Sequence, residues 1–292
     1  MAAEAGALRV MDFGPSSALR SQTLWHAVAY GVSAGAPATL SFTRPAAPYV
    51  CLGYHGALDE VDLDYCRVEG LPVLRRMVGG GTVYLDEDQL FFQISLPVQA
   101  VPAARWQALR NLLGPAVTAF RAVGVPAELD ADLEICVGDR KVCGHGAGQI
   151  DNAVVVCGNL IERFDHERAA RVLALAGPAH REQTLHLMRR FVAATPVDAA
   201  GFQAALVHAY AEALGLRPVP GALSPDEART VVELDARFTS EAWLAGPVRP
   251  QPAAGSERPP RRVKVRAGVW SVASEDEGAP NAAFTSAGPG GL

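Results

Sequence analysis

Leu74-Arg75-Arg76-Met77-Val78-Gly79-Gly80-Gly81-Thr82-Val83-Tyr84 is the most informative stretch of the chain. Three successive glycines permit positive φ angles and let backbone N–H groups approach a ligand closely. Arg75 and Arg76 stand just before them, and a guanidinium pairs well with phosphate or carboxylate. Arg75, Arg76, Gly79, Gly80, Gly81 and Thr82 therefore describe a loop that cradles an anion. A plain hairpin turn, whose glycines only permit the bend, is the competing reading. A P-loop is excluded, because no Lys-Ser/Thr follows the glycines and G-x-G-x-x-G is absent.

Outward from this loop, strand and helix patterns alternate irregularly. Residues 72–76 enter the glycines as a strand, 82–85 leave as another, and 90–96 follow after an acidic turn. Upstream, 16–33 carries Leu19, Leu24, Trp25, Val28 and Ala29 behind Ser16-Ser17, the pattern of a capped amphipathic helix. Residues 38–43 and 49–53 are expected strands, and 61–69 a short helix ended by Gly70. Downstream, 104–123 places Leu109, Leu112, Leu113, Val117 and Phe120 at helical spacing. Strands are expected at 133–137, 141–143 and 153–161, the first two joined as a hairpin by Gly138-Asp139. Helical patterns return at 165–176, 198–214 and 224–237, and no internal repeat is found. The alternation predicts an α/β (α+β) fold, with a mixed, mostly antiparallel sheet flanked by helices rather than a doubly wound one.

A second segment carries chemistry: Asp132-Leu133, then Gly138-Asp139-Arg140-Lys141-Val142-Cys143-Gly144-His145-Gly146. Lys141, flanked by glycine-rich turns at a strand edge, can reach a bound phosphate or acyl oxygen; a solvated hairpin lysine is the bland alternative. Asp132 is a candidate to hold that ammonium or a metal, or else is an exposed turn carboxylate. Cys143 and His145 are two apart, which on a strand puts both on one face as a possible nucleophile pair. The alternative is a small buried cysteine beside an ordinary histidine.

Composition narrows the class. The chain has 292 residues, 49% of them hydrophobic and 20% charged, enough to bury a core in one large domain or in one domain plus a small appendage. A net charge of −5 disfavours a nucleic acid partner. No apolar run reaches the roughly 18 residues of a membrane span, and no secretory signal is evident. Five cysteines at wide spacing, without C-x-x-C, argue against a disulfide framework or structural zinc and for a reducing, cytoplasmic setting. Of 26 basic residues only Lys141 and Lys264 are lysines. Against that arginine bias, a retained lysine can mark a place where a planar guanidinium will not serve.

The two segments, in this order, resemble those of lipoate–protein ligases within the wider biotin/lipoate ligase and octanoyltransferase superfamily. The shared pattern is Arg-Arg, two residues, Gly-Gly-Gly and a strand at 75–84; then Asp132-Leu133, the Gly138 to Gly144 segment, and an apolar strand entering Gly158. Arg237 to Leu244 is similar to the family's sequence near the end of its catalytic domain. The resemblance implies a biotin-ligase-like catalytic domain over 1–245. It also implies activation of lipoate or octanoate with ATP and Mg2+ to an acyl-adenylate, then transfer to a lysine of a lipoyl-acceptor carrier domain. In that scheme Lys141 is the catalytic cation. Arg75, Arg76, Gly79, Gly80, Gly81, Thr82, Asp132 and His145 bind substrate or adenylate, and an apolar tunnel takes the acyl chain. No protein metal site is expected.

Departures from the family pattern are Val78 before the glycines, Leu85 after Tyr84, Cys157 before Gly158, and His145-Gly146 where Ser-Ala is usual. They keep open an ATP-independent octanoyl or lipoyl transferase acting between carrier proteins, with Cys143 as its best-placed thiol, and a catalytically impaired acyl-binding relative. Residues 246–262, rich in proline, are expected to be a linker. Residues 263–292 are expected to hold one strand of a truncated accessory domain, with a disordered tail from Ser274. Such a strand would dock beside the active site or be completed by a separate accessory subunit.

Overall fold

The computed structural model describes residues 6–247 and 262–273. In chain order it contains β1 (Ala7–Ser16), α1 (Arg20–Ser33), β2 (Thr39–Pro45), β3 (Tyr49–Leu52), α2 (Leu63–Val68), β4 (Val73–Arg75), β5 (Val83–Leu85) and β6 (Gln89–Pro97). There follow α3 (Arg105–Ala122), β7 (Glu128–Leu129), β8 (Ile135–Val137), β9 (Arg140–Cys143), β10 (His145–Ile150), β11 (Ala153–Ile161) and α4 (His166–Arg171). The last elements are α5 (Pro178–Phe191), α6 (Ala199–Leu214), β12 (Arg217–Pro220), α7 (Pro225–Phe238), α8 (Glu241–Ala245), β13 (Arg262–Arg266) and β14 (Val269–Val272).

The main sheet has six strands in the order β10-β11-β6-β2-β1-β12. The β1–β2 and β1–β12 pairs are parallel and the others antiparallel, so the expected mixed sheet is present. Side chains alternate between its faces. Leu40, Phe42, Phe92, Ile94, Val156 and Leu160 point to one side, where Leu113 and Phe120 of α3 and Phe202 and Tyr210 of α6 close the core. Each such large side chain contributes roughly 1.5–3 kcal/mol on burial. On the other face Val155 meets Trp25 and Ala29 of α1. Helix α7 packs behind α1 and begins with a Ser224/Glu227 capping box whose glutamate also pairs with Arg9.

The glycine stretch is not a hairpin turn. β4 and β5 do not pair with each other; they flank β3, one parallel and the other antiparallel. Residues 76–82 therefore cross over the end of β3. Two more elements depart from the sequence reading. Residues 145–150, for which no separate strand was expected, form the edge strand β10 on β11. α5 was not expected, because its buried face is His180, Thr184, Leu187 and Phe191 and so carries few apolar residues.

Residues 262–272, expected as one isolated strand, fold back as the β13–β14 hairpin around Ala267-Gly268. This hairpin docks on α5. Val265 joins Ile161, Leu187, Phe191 and Val192, and Ser271 Oγ lies 2.7 Å from Thr184 Oγ1. Of the expected linker, 248–261 lies outside the described residues, as does the expected tail from Ser274.

Arg75 ties the end of the catalytic-domain sequence to the sheet. Its side chain is wholly buried. Nη1 donates to the carbonyls of Gly53, Tyr54 and Gly56, while Nε and Nη2 donate to those of Trp243 and Leu244. Trp243 Nε1 donates back to the Arg75 carbonyl at 2.9 Å. Arg75→Met strands several buried carbonyls, and losses of that kind cost about 1–3 kcal/mol for each group left unsatisfied. Urea unfolding should show it as one of the most destabilising single changes in the chain.

Candidate active site

The 76–82 crossover is shaped from beneath by Arg76. Its Nη2 donates to the carbonyls of Gly79 and Gly81, both at 2.9 Å, its Nε to Gly79, and its Nη1 to the Cys51 carbonyl. The loop's acceptors thus turn inward onto a buried cation. Among the described residues, the amides of Gly80, Gly81 and Thr82 have no protein acceptor, whereas the Gly79 amide is tied to the Ala147 carbonyl. Three neighbouring amides over a guanidinium make a positively polarised concavity for an anion. Gly80 has φ +106, and a Cβ there would stand 2.5 Å from Arg76 Nη2. The loop lies on β10 because Gly146 has no side chain: a Cβ there would stand 2.8 Å from the Gly79 carbonyl oxygen.

His26 supports the same loop. Its Nε2 accepts from the Met77 amide at 2.9 Å and its Nδ1 lies 2.6 Å from the Gln22 carbonyl, so the neutral ring carries its proton on Nδ1. Burial, with Arg76 and Arg237 nearby, pushes its pKa down to about 3. Thr82 Oγ1 donates to Glu60, whose other oxygen accepts from the Ala57 amide.

Lys141 meets the loop across His145. Its Nζ is 2.7 Å from Glu134 Oε2, and the two side chains are 16% and 4% exposed. Burial raises the Glu134 carboxyl, but Lys141, His145 and the Ala267 amide together hold it down to about 2. His145 Nδ1 stands 3.9 Å from the same carboxylate oxygen. Burial, then the Lys141 charge, lowers the His145 pKa to about 4, so the ring is neutral near pH 7. The His145 carbonyl lies 3.8 Å from where a Cβ of Gly80 would stand, which joins the lysine cluster to the loop.

Several sequence assignments change. Arg75 faces backbone carbonyls rather than the loop's open side. Asp132 is exposed and does not hold Lys141; Glu134 does, two residues later. The turn explains the shift: Leu133 is buried with φ +62, and Asp130 Oδ1 accepts from the amides of Asp132 and Glu134. The Cys143–His145 pair also fails, because Cys143 lies in the main core and its thiol is pushed up to about 12 by burial. Of the five cysteines only Cys157 is partly exposed, and its Sγ faces the Gly146 carbonyl at 3.4 Å beside the loop. An open cleft of about 790 Å3 between α3 and α6 contains none of these residues. Among the described residues no three His, Cys, Asp or Glu side chains gather as a metal site. No described helix is long and apolar enough to cross a membrane.

Residues 21–210 match the family model described as the lipoyl protein ligase A/B catalytic domain. The chain belongs to this family. Octanoyltransferase LipM of Symbiobacterium thermophilum is 28% identical over 273 residues, covering 80% of this chain and 97% of that one. Lipoate–protein ligase 1 of Staphylococcus aureus is 25% identical over 147 residues, 50% of this chain and 44% of that one. The fold matches a chain of the archaeal lipoylation system of Thermoplasma acidophilum, a bi-partite lipoate protein ligase with its E2 lipoyl domain. That match has TM-score 0.75 at 24% identity, over 84% of this chain and 99% of that one. Lipoate–protein ligase A bound with ATP superposes at TM-score 0.70 and 22% identity, over 82% and 99%. The protein is thus an enzyme of the lipoate ligase and octanoyltransferase family, built on the fold of the ligase structures.

Two histidines of the site, His26 and His145, contribute a pH response. Both have folded-state pKa values below the unfolded value near 6.5, so the unfolded chain binds the extra protons. Their stabilisation is full above about pH 6.5 and declines as pH falls toward 4 and then 3. Glu134 acts in the same sense lower down, losing its contribution as pH falls from 4.5 toward about 2. Urea titrations at pH 7, 6 and 5 should show stability falling by up to roughly 2.7 kcal/mol per unit for two protons. His26→Asn should make that slope shallower.

Proposed function

We propose that the protein activates a lipoate- or octanoate-type carboxylic acid with ATP and passes the acyl group to a lysine of a lipoyl carrier domain. The observation that carries this reading is the Lys141–Glu134 pair joined through His145 to a loop whose Gly80, Gly81 and Thr82 amides have no acceptor among the described residues, with no freely exposed thiol among the chain's cysteines. In the first step the carboxylate oxygen bonds to the α-phosphorus and pyrophosphate leaves. In the second the acceptor amine bonds to the carbonyl carbon, AMP leaves, and the amine's proton is released. Both steps shift negative charge between acyl and phosphate oxygens, so fixed positive dipoles and one held ammonium suffice without covalent catalysis. The Gly80, Gly81 and Thr82 amides would hold the phosphate or carboxylate end, with Arg76 fixing their geometry. Lys141 would hold the phosphate and acyl oxygens, as a compact cation, while charge shifts between them.

A second reading has one observation in its favour. Similarity over nearly the whole length of an octanoyltransferase supports transfer from an acyl carrier, whose thioester is already activated and needs no ATP. Cys157, beside the loop, would then be the thiol that accepts the acyl group.

ATP–pyrophosphate exchange with lipoate or octanoate separates the two. Exchange is expected in wild type and a loss of at least roughly a hundredfold in Lys141→Arg, which keeps the charge but not its shape. Lys141→Met should be combined with Glu134→Gln, because removing the lysine alone leaves a buried charge that costs about 3–5 kcal/mol. No exchange, together with an octanoyl adduct on Cys157 by mass spectrometry, would establish the transferase instead.

A further inference from the structure

The β13–β14 hairpin, packed on α5 through Val265, reaches the lysine cluster through the next two residues, Arg266 and Ala267. The Ala267 amide donates to Glu134 Oε1 at 3.0 Å, while Glu134 Oε2 faces Lys141 Nζ at 2.7 Å. One carboxylate therefore joins the turn of the hairpin to the cation of the site. Next to it, Arg266 Nη2 donates to Asp130 Oδ2 at 2.6 Å and Arg266 Nη1 to the Asp139 carbonyl at 2.5 Å. Asp130 is the residue whose other oxygen holds the amides of Asp132 and Glu134. Asp139 lies in the β8–β9 turn two residues before Lys141.

We infer that Arg266 and the Ala267 amide are positioning groups for Lys141: the hairpin fixes Glu134, and Glu134 fixes the ammonium. Four features support this assignment. Arg266 and Asp130 are both largely withdrawn from water, at 13% and 25% side-chain exposure, so this is more than a loose surface ion pair. Leu133, between Asp130 and Glu134, has φ +62, a conformation that a bulky residue holds only when its surroundings enforce it. The Asp130 bonds supply that enforcement, and Arg266 in turn holds Asp130. Finally, the cluster is closed: Glu134 is faced by Lys141, His145 and the Ala267 amide, with Asp130 and Lys264 contributing to the local charge. A carboxylate gripped at one oxygen presents the other in one direction, and a long flexible lysine chain is thereby confined.

The inference rests on the reading of Lys141 as the chemical cation, but its test does not depend on that reading. With only Lys141 and Lys264 in the chain, protein labelled with 13C at lysine Cε gives two side-chain signals, assigned by Lys264→Arg. Full-length Arg266→Gln removes the bonds to Asp130 and Asp139, and Ala267→Pro removes the donor to Glu134. In both variants the Lys141 signal should move toward that of Glu134→Gln. Turnover should fall roughly tenfold to a hundredfold, the loss expected of a misplaced catalytic group, with KM for the acyl substrate within about twofold. Ala267→Pro could also disturb the hairpin; Arg266→Gln, with its melting temperature measured alongside, keeps the test independent of folding. A Lys141 signal unmoved in Arg266→Gln overturns the inference, whatever happens to turnover. A moved signal with turnover intact leaves the coupling in place but removes its catalytic meaning, and so also overturns it. If Lys141→Arg is fully active, the function reading falls while the NMR result still reports on the hairpin.

Discussion

Two adjacent guanidiniums are buried in this protein, and the manner of their satisfaction organises everything around the loop. Burying an arginine is tolerable only when its fixed fork of donors is filled. Arg75 fills it with carbonyls from residues 53–56 on one side and 243–244 on the other. Arg76, the next residue, fills its own with carbonyls of the glycine loop and of β3. The first arginine fastens α8 to the sheet edge; the second turns a flexible stretch into a fixed concavity with its amides outward. Because neighbouring residues on a strand face opposite ways, one pair can serve both the scaffold and the site.

That division was only partly legible in the sequence. The Arg-Arg and Gly-Gly-Gly pattern pointed to this loop, since both residue types constrain the backbone locally. Nothing local distinguishes the arginine that faces carbonyls of α8 from the one beneath the loop, because the former's partners lie about 170 positions away. The carboxylate partner of Lys141 was placed on Asp132 rather than Glu134. A single left-handed residue, Leu133, reverses which of those side chains turns inward, and leucine carries no sequence signal for positive φ. His26 was passed over for a related reason. It has no ligand-like spacing, and its role comes from a Met77 amide 51 positions away.

The hairpin at 262–273 illustrates a different limit. Its larger apolar residues, Val263, Val265, Val269, Trp270 and Val272, are enough to specify strands but too few for a core. What Val265 and Val269 pack on is α5, a helix whose buried face is half polar and so weakly marked by hydrophobic periodicity. Two weak elements that support each other escape a reading made one segment at a time. In the main sheet the three strands with long apolar runs, β2, β6 and β11, match strands expected from the sequence, whereas β1, the edge strand β10 and the short strand β12 do not.

The ion pair between Lys141 and Glu134 has one more consequence, for self-modification. On the proposed ligase activity, an enzyme that generates an activated acyl group to deliver to a lysine is itself at risk from that product. An ammonium has no lone pair with which to attack a carbonyl. A lysine kept as the charged partner of a buried carboxylate can therefore touch a reactive acyl group without becoming acylated. The other lysine, Lys264, sits on the exposed edge of β13, and the remaining basic residues are arginines, which are poor nucleophiles. The surface thus offers few amines to compete with a carrier's lysine.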